Sequence, residues 1–192
     1  MNTYGFTERG RIDLLESAMR RNHISPRLFP LDWLKSTDFF RAPAAAHHHS
    51  NYSGGLFDHS MHVAQELIRL THNHTTAVWG RPESPFLVGI LHDITKVGKY
   101  IRSDETDPST GKILSTGYIY NKEYEGEGHG QDSLNKLKPH IQLTEEEQLC
   151  IRYHMGAYET DDWDGYDKAI RMYPNVLWTH SADMIASKVM EK

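Results

Sequence analysis

The run Ser84-Pro85-Phe86-Leu87-Val88-Gly89-Ile90-Leu91 is almost wholly apolar and leads straight into His92-Asp93. It opens on a serine suited to the N-cap and a proline suited to the first helical position, so it reads as a helix. A helix apolar on all sides must be covered on all sides, and the rest of the chain has to wrap around this one. Its far end therefore delivers a histidine and a carboxylate from within a core, with Lys96 following inside one turn and Gly98 offering a stop. Taken alone, the dipeptide is an ordinary helix terminus, and Lys96 an ordinary surface lysine near the negative end of a helix.

The flanking sequence supplies the covering helices. Ile12, Leu15 and Met19 recur at helical spacing between Arg9 and Asn22, and Pro26 bounds that amphipathic helix. Leu28 to Phe40 reads as an irregular cover with a short helix around Leu31 to Leu34. His47-His48-His49 and then Ser50 to Gly55 form a tightly turning loop, and Leu56 to Thr71 a long helix with a broad apolar side and His59 in its first turns. Between Ser103 and Glu127 the character changes to turn residues and short β-prone runs, with strands expected at Lys112–Ser115 and Gly117–Tyr120. His129 opens a short helix closed by Pro139. Thr144 and Glu147 have the spacing of a capping box for a helix that runs to about His154. Asp161 to Tyr166 reads as an acidic loop, followed by a short helix near Lys168 to Met172 and a last helix carrying Asp183. The expected fold is a single all-α domain over residues 1–192, with an N-terminal helix and cover at 1–40 and a small β-hairpin insertion at 103–127.

Composition narrows the chemistry. Thirteen histidines stand against one cysteine, which directs attention to imidazole and carboxylate sites rather than thiolate ones. Cys150 falls in an apolar helical pattern and has no partner for an internal disulfide, which suits a reducing compartment. A net charge of -5 argues against broad adhesion to a polyanion. No apolar run approaches the roughly 20 residues that span a bilayer, and Met1 to Arg11 is too polar for a signal peptide, so the cytoplasm is the expected location. His59, His92, Asp93, His129, His154 and Asp183 each sit at a defined point on an expected helix or helix end. Four imidazoles and two carboxylates would suit two divalent ions of manganese, iron, cobalt, nickel or zinc. If Asp93 bridged them, the ions would share a hydroxide able to attack a phosphoester, and Lys96 would add positive charge.

Gly54-Gly55-Leu56-Phe57-Asp58-His59-Ser60, Leu91-His92-Asp93-Ile94-Thr95-Lys96 and His180-Ser181-Ala182-Asp183 together resemble the HD superfamily of metal-dependent phosphohydrolases. The resemblance covers Ala42 to Lys188 and implies an HD-type helical bundle. It places His59, His92, Asp93 and Asp183 on a first metal, with His129 and His154 completing the second site of the binuclear branch. Asp93 and Lys96 would be the catalytic residues. Pro43, Ala44, Ala45 and the histidines leading into Gly54-Gly55 look most like the hydrolase domain of YhaM-type exoribonucleases and of some conjugative relaxases. Those proteins carry further nucleic-acid-binding regions that are not seen here, so a small phosphorylated substrate, a nucleotide or a relative of one, is preferred to a short nucleic acid. The cyclic-dinucleotide branch is not matched, because His154 is followed by Met155-Gly156 and Gly165-Tyr166 by Asp167.

His48, His49, His180 and Tyr158 are further candidates for substrate contact, with Trp163 as a second aromatic wall. His23, His72 and His74 fall at or beyond helix ends as surface groups, and His62 and His140 have no evident partner. Two other functions fit the same pattern: a di-iron oxygenase, as in a few relatives with the same ligand set, and a non-catalytic module that binds a metal or a nucleotide.

Overall fold

The structure is a computed structural model that describes residues 5–46, 50–72, 74–126, 128–156 and 162–191, the side chain of Thr116 excepted. It is mostly helical: α1 (Glu8–Arg21), α2 (Leu31–Ser36), α3 (Gly55–Thr71), α4 (Ser84–Leu91), α5 (His129–Leu137), α6 (Glu145–Arg152), α7 (Trp163–Met172) and α8 (Asn175–Ile185). A 3-10 turn (Ile94–Lys96) follows α4, a π-helical turn (Ala186–Met190) follows α8, and β1 (Tyr100–Thr106) pairs with β2 (Ile113–Tyr120). No described helix is long and apolar enough to cross a membrane.

Helix α3 occupies the centre and packs against α4 and α8. Every residue of α4 is buried, as its composition demands. The two helices approach backbone to backbone. A Cβ on Gly89 would stand 2.3 Å from Ala64 Cα, so only glycine fits at this crossing. Around it lie Leu56, Phe57, Leu67, Leu87, Ile90 and Leu91, all fully buried. Phe39, Phe40 and Phe57 pack as one aromatic cluster, with ring centroids 5.1 Å apart for the first pair and 5.6 Å for Phe40 and Phe57. Burying each such ring contributes about 1.5–3 kcal/mol. The segment from Leu28 to Phe40 is thus more than a cover, because Leu34, Phe39 and Phe40 belong to the core.

Local signals explain most of the helix ends. The Thr7 side chain accepts from Gly10 N and caps α1, whose last turn carries Arg20 and Arg21 against its negative end. Arg11 is buried and donates to the carbonyls of Phe40 and Ser53, tying α1 to the loop that enters α3. Gly54 ends that loop at φ 91°, directly against the Arg11 guanidinium. The capping box of Thr144 and Glu147 forms as the sequence predicts. Glu147 does more than cap: its buried carboxylate also accepts from Arg81 at 2.7 and 2.6 Å and from Ser84 Oγ at 2.7 Å.

Those bonds correct one expectation. Ser84 is the first residue of α4 rather than its cap, and Glu83 takes the cap position without a side-chain bond. Ser84 Oγ is drawn away to Glu147 instead. The hairpin differs as well. Residues 113–120 form one strand through Gly117, not two, and its partner is Tyr100–Thr106. Asp107 to Gly111 makes the turn, with Asp107 Oδ1 accepting from Ser109 N and Thr110 N. The partner strand escapes sequence reading because solvent bathes most of it, leaving no alternation of apolar and polar positions. Asp162, expected in a loop, caps α7 by accepting from Gly165 N, so this helix starts at Trp163.

The Gly89 crossing is open to a direct test. Gly89→Ala gains about 1 kcal/mol of helix propensity, yet it forces a methyl into the Ala64 backbone, where overpacking commonly costs about 1–3 kcal/mol and here has no flexible side chain to yield. The cost therefore falls at the upper end of that range, and the expected net result is a loss of up to about 2 kcal/mol in urea unfolding. A variant as stable as the wild type would disprove the backbone contact.

Candidate metal centre

Five separate segments meet at one point. Helix α3 presents His59, the α4 end presents His92, and Asp93 follows where the helix breaks into a 3-10 turn at φ -113° and ψ 28°. His129 is the first residue of α5, His154 lies two residues beyond α6, and Asp183 sits near the end of α8. All six residues expected from the sequence are brought together. Five are buried, and the His129 side chain is 26% exposed.

Asp93 is the shared neighbour, and its two oxygens face different imidazoles. Oδ2 lies 3.9 Å from both His59 Nε2 and His92 Nε2. Oδ1 lies 3.6 Å from His129 Nδ1 and 3.9 Å from His154 Nε2. His59 Nε2 is 3.3 Å from His92 Nε2 and 3.1 Å from Asp183 Oδ1. These are separations at which an ion can be gripped from several sides, and three overlapping groups could hold one: His59, His92 and Asp93; His92, His154 and Asp183; Asp93, His129 and His154. Asp93 Oδ1 and His154 Nε2 are buried and meet no hydrogen-bond partner among the described residues. An unsatisfied buried polar atom costs about 1–3 kcal/mol, a cost that a cation between these two would relieve. The donor set therefore fits a metal.

Two of the imidazoles are already held in the tautomer that ligation needs, and a third has its outer nitrogen fixed. His92 Nδ1 donates to Gly89 O at 2.8 Å and His154 Nδ1 to Ile151 O at 2.7 Å, so each aims a lone pair on Nε2 inward. His59 Nδ1 donates to Glu191 Oε1 at 3.1 Å. His129 differs, since it faces inward through Nδ1 while Lys99 Nζ donates to its Nε2 at 3.0 Å. That bond favours a proton on Nδ1, so His129 can ligate only if Lys99 releases it.

Electrostatics follow from the same contacts. Burial alone would strip the proton from His59, but hydrogen bonds to Asp183 and Glu191 outweigh it and raise the pKa to about 9. Burial together with the neighbouring His154 presses His92 down to about 3. Burial would raise Asp93, yet Lys96 beside it holds the carboxyl well below the usual range. Burial likewise opposes ionisation of Asp183, and its bond to His59 outweighs that and lowers its pKa. Lys96 is itself buried and forms an ion pair with Asp93, so it is not the surface lysine of the simpler reading.

The cluster opens into a cavity of about 550 Å³ lined by Lys96, Tyr100, Tyr120, Met155, His180 and Lys188 among others. His180 lines it as expected, anchored by Nδ1 donating to His154 O at 2.8 Å. His48, His49 and Tyr158 lie outside the described residues. Trp163 is exposed at the start of α7 and is not part of this cavity. A larger open hollow of about 780 Å³ between α5 and α6 contains none of the six clustered residues. His62 and His140 do have partners: His62 Nδ1 meets Glu191 at 2.9 Å, and His140 stacks on Trp33 at 4.1 Å. Sequence reading missed Glu191 and Lys99 altogether. The one available signal was the three-residue step from His59 to His62, which puts both on one helix face.

No protein family, curated protein or solved structure matches this chain.

The opposed shifts of His59 and His92 give the metal-free protein a defined pH response. The raised His59 contributes stability that is complete below its ordinary pKa of 6.5 and is lost as pH rises through about 9. For the lowered His92, the unfolded chain takes up a proton below 6.5 that the folded state refuses until about 3, so stability falls on the acid side too. The Tm of metal-free protein is expected to peak near pH 6.5, and His59→Asn to flatten the alkaline limb. A wild-type Tm constant from about pH 6.5 to 9 would show that His59 is not held charged.

Proposed function

We propose that this chain is a metal-dependent phosphohydrolase of the HD type, acting on a phosphomono- or phosphodiester of a nucleotide or a similar small molecule. The observation that carries the reading is the division of Asp93, with one oxygen toward His59 and His92 and the other toward His129 and His154. The order histidine, histidine-aspartate, aspartate along the sequence supports the same assignment. His59, His92, Asp93 and Asp183 would hold one ion, and Asp93, His129 and His154 a second. Bound there, divalent ions would acidify a water molecule and neutralise charge on a phosphoryl group.

The chain's own residues account for the rest of the reaction. Lys96 orients Asp93 through their ion pair and places a buried positive charge in the cavity wall, where low dielectric strengthens its pull on a phosphoryl oxygen. Burial of the cluster keeps bulk water from competing for the ligands. The cavity volume of about 550 Å³ suits a ligand the size of a mononucleotide, and Tyr100 and Tyr120 at the hairpin base offer aromatic wall to its organic part.

The His129 geometry sharpens the test. Wild-type protein loaded with manganese or cobalt is expected to bind two ions and to hydrolyse nitrophenyl phosphoesters or nucleotides. Asp93→Ala should lose both ions and all turnover, whereas His129→Ala should keep one ion. Lys96→Met should retain metal and lose about 10²-fold in kcat, as when one charge-stabilising donor is removed elsewhere. Two bound ions with no release of phosphate or nitrophenol across a broad ester panel would overturn the hydrolase reading.

A further inference from the structure

Glu191 lies beyond α8, just past the π-helical turn, and its backbone N–H donates to Ala186 O, five residues back. That wide turn brings a carboxylate from near the end of the chain onto α3. Glu191 Oε1 accepts from His59 Nδ1 at 3.1 Å and from His62 Nδ1 at 2.9 Å. Its other oxygen accepts from Ser50 Oγ at 2.7 Å. The side chain is 3% exposed. Three donors thus converge on a buried carboxylate 129 to 141 residues away from them in sequence.

We infer that Glu191 is a positioning residue for the metal centre, one that fixes the ring and tautomer of His59 without itself touching an ion. It cannot readily serve as a ligand, because it approaches His59 from Nδ1, while Nε2 is the nitrogen facing Asp93, His92 and Asp183. A carboxylate on the outer nitrogen holds the proton there and makes the inner nitrogen the donor to metal, raising its basicity. Two further contacts keep the carboxylate aimed. His62 lies one turn along α3 from His59 and shares the same oxygen, so Glu191 cannot swing without losing both imidazoles. Ser50 sits at φ 52°, a left-handed conformation unusual for a residue with a side chain, and its hydroxyl clamps the second oxygen. A residue held in this conformation whose hydroxyl donates to the carboxylate points to a device for orientation. The C-terminal turn, the loop before α3 and the first ligand helix are thereby locked together at Glu191.

This inference rests on the proposed metal site and is independent of the reaction performed there. Its test is cobalt binding to the full chain by calorimetry, with the visible absorption of bound cobalt recorded alongside. Glu191→Ala and Glu191→Gln are expected to weaken cobalt binding by about 10- to 100-fold and to alter the cobalt spectrum, while far-UV circular dichroism stays that of the wild type. Glu191→Gln keeps the volume and one acceptor oxygen, and it carries the test if Glu191→Ala does not fold. Variants that bind cobalt within tenfold of the wild type, with an unchanged spectrum and only a lower Tm, would make Glu191 a structural clip and overturn the inference. Wild-type protein that binds no cobalt would overturn it together with the metal reading. Wild-type protein that binds cobalt tightly but hydrolyses nothing would leave it standing on the variants' affinities and would count against the hydrolase alone.

Discussion

The backbone contact between Ala64 of α3 and Gly89 of α4 sets the distance on which the centre of this protein depends. Two helices that meet without a Cβ between them lie closer than side chains would otherwise allow, and His59 and His92 project from this pair to within 3.3 Å of each other. Gly89 acts a second time through its carbonyl, which accepts from His92 Nδ1 and turns Nε2 inward. The same residue sets both the spacing of the helices and the orientation of one imidazole.

Such a cluster opposes the folding that creates it. Two aspartates, a glutamate and several imidazoles leave water, and groups of this kind are costly to bury unless paired. The protein offsets that cost by alternating sign. Lys96 faces Asp93, and a charged His59 lies between Asp183 and Glu191. The pairing is incomplete, since Asp93 Oδ1 and His154 Nε2 find no hydrogen-bond partner among the described residues. A centre that is almost satisfied by its own pairs still leaves buried polar atoms that could hold a cation. His129, held from outside by Lys99, is the least committed member of the set.

Much of this was legible because it is written in local patterns. The apolar α4, the capping box at Thr144 and Glu147, the helix opening at His129 and the Asp107–Gly111 turn all depend on residues close in sequence. Failures occurred where a distant residue competes for a local group. Ser84 gives up the capping role because the carboxylate of Glu147 lies within reach of its hydroxyl. Strand β1 has no periodic signal because much of its length faces water, so only pairing with β2 defines it. Phe39 and Phe40 look like an irregular segment until Phe57 and α3 enclose them.

The sequence by itself determined which side chains could form a metal centre and that most of the chain would be helical, since ligand chemistry and hydrophobic periodicity are properties of residue type and spacing. It also placed each of the six residues at a helix or a helix end, where a backbone of known period aims a side chain predictably. Only the tertiary structure decided that these residues converge, that the oxygens of Asp93 face separate imidazole pairs and that Lys96 is buried. It alone brought Glu191 to His59, a bond spanning 132 residues. The reason is physical: a hydrogen bond or ion pair acts over a few ångströms regardless of sequence separation, and which distant groups come within that range is settled by how the helices pack.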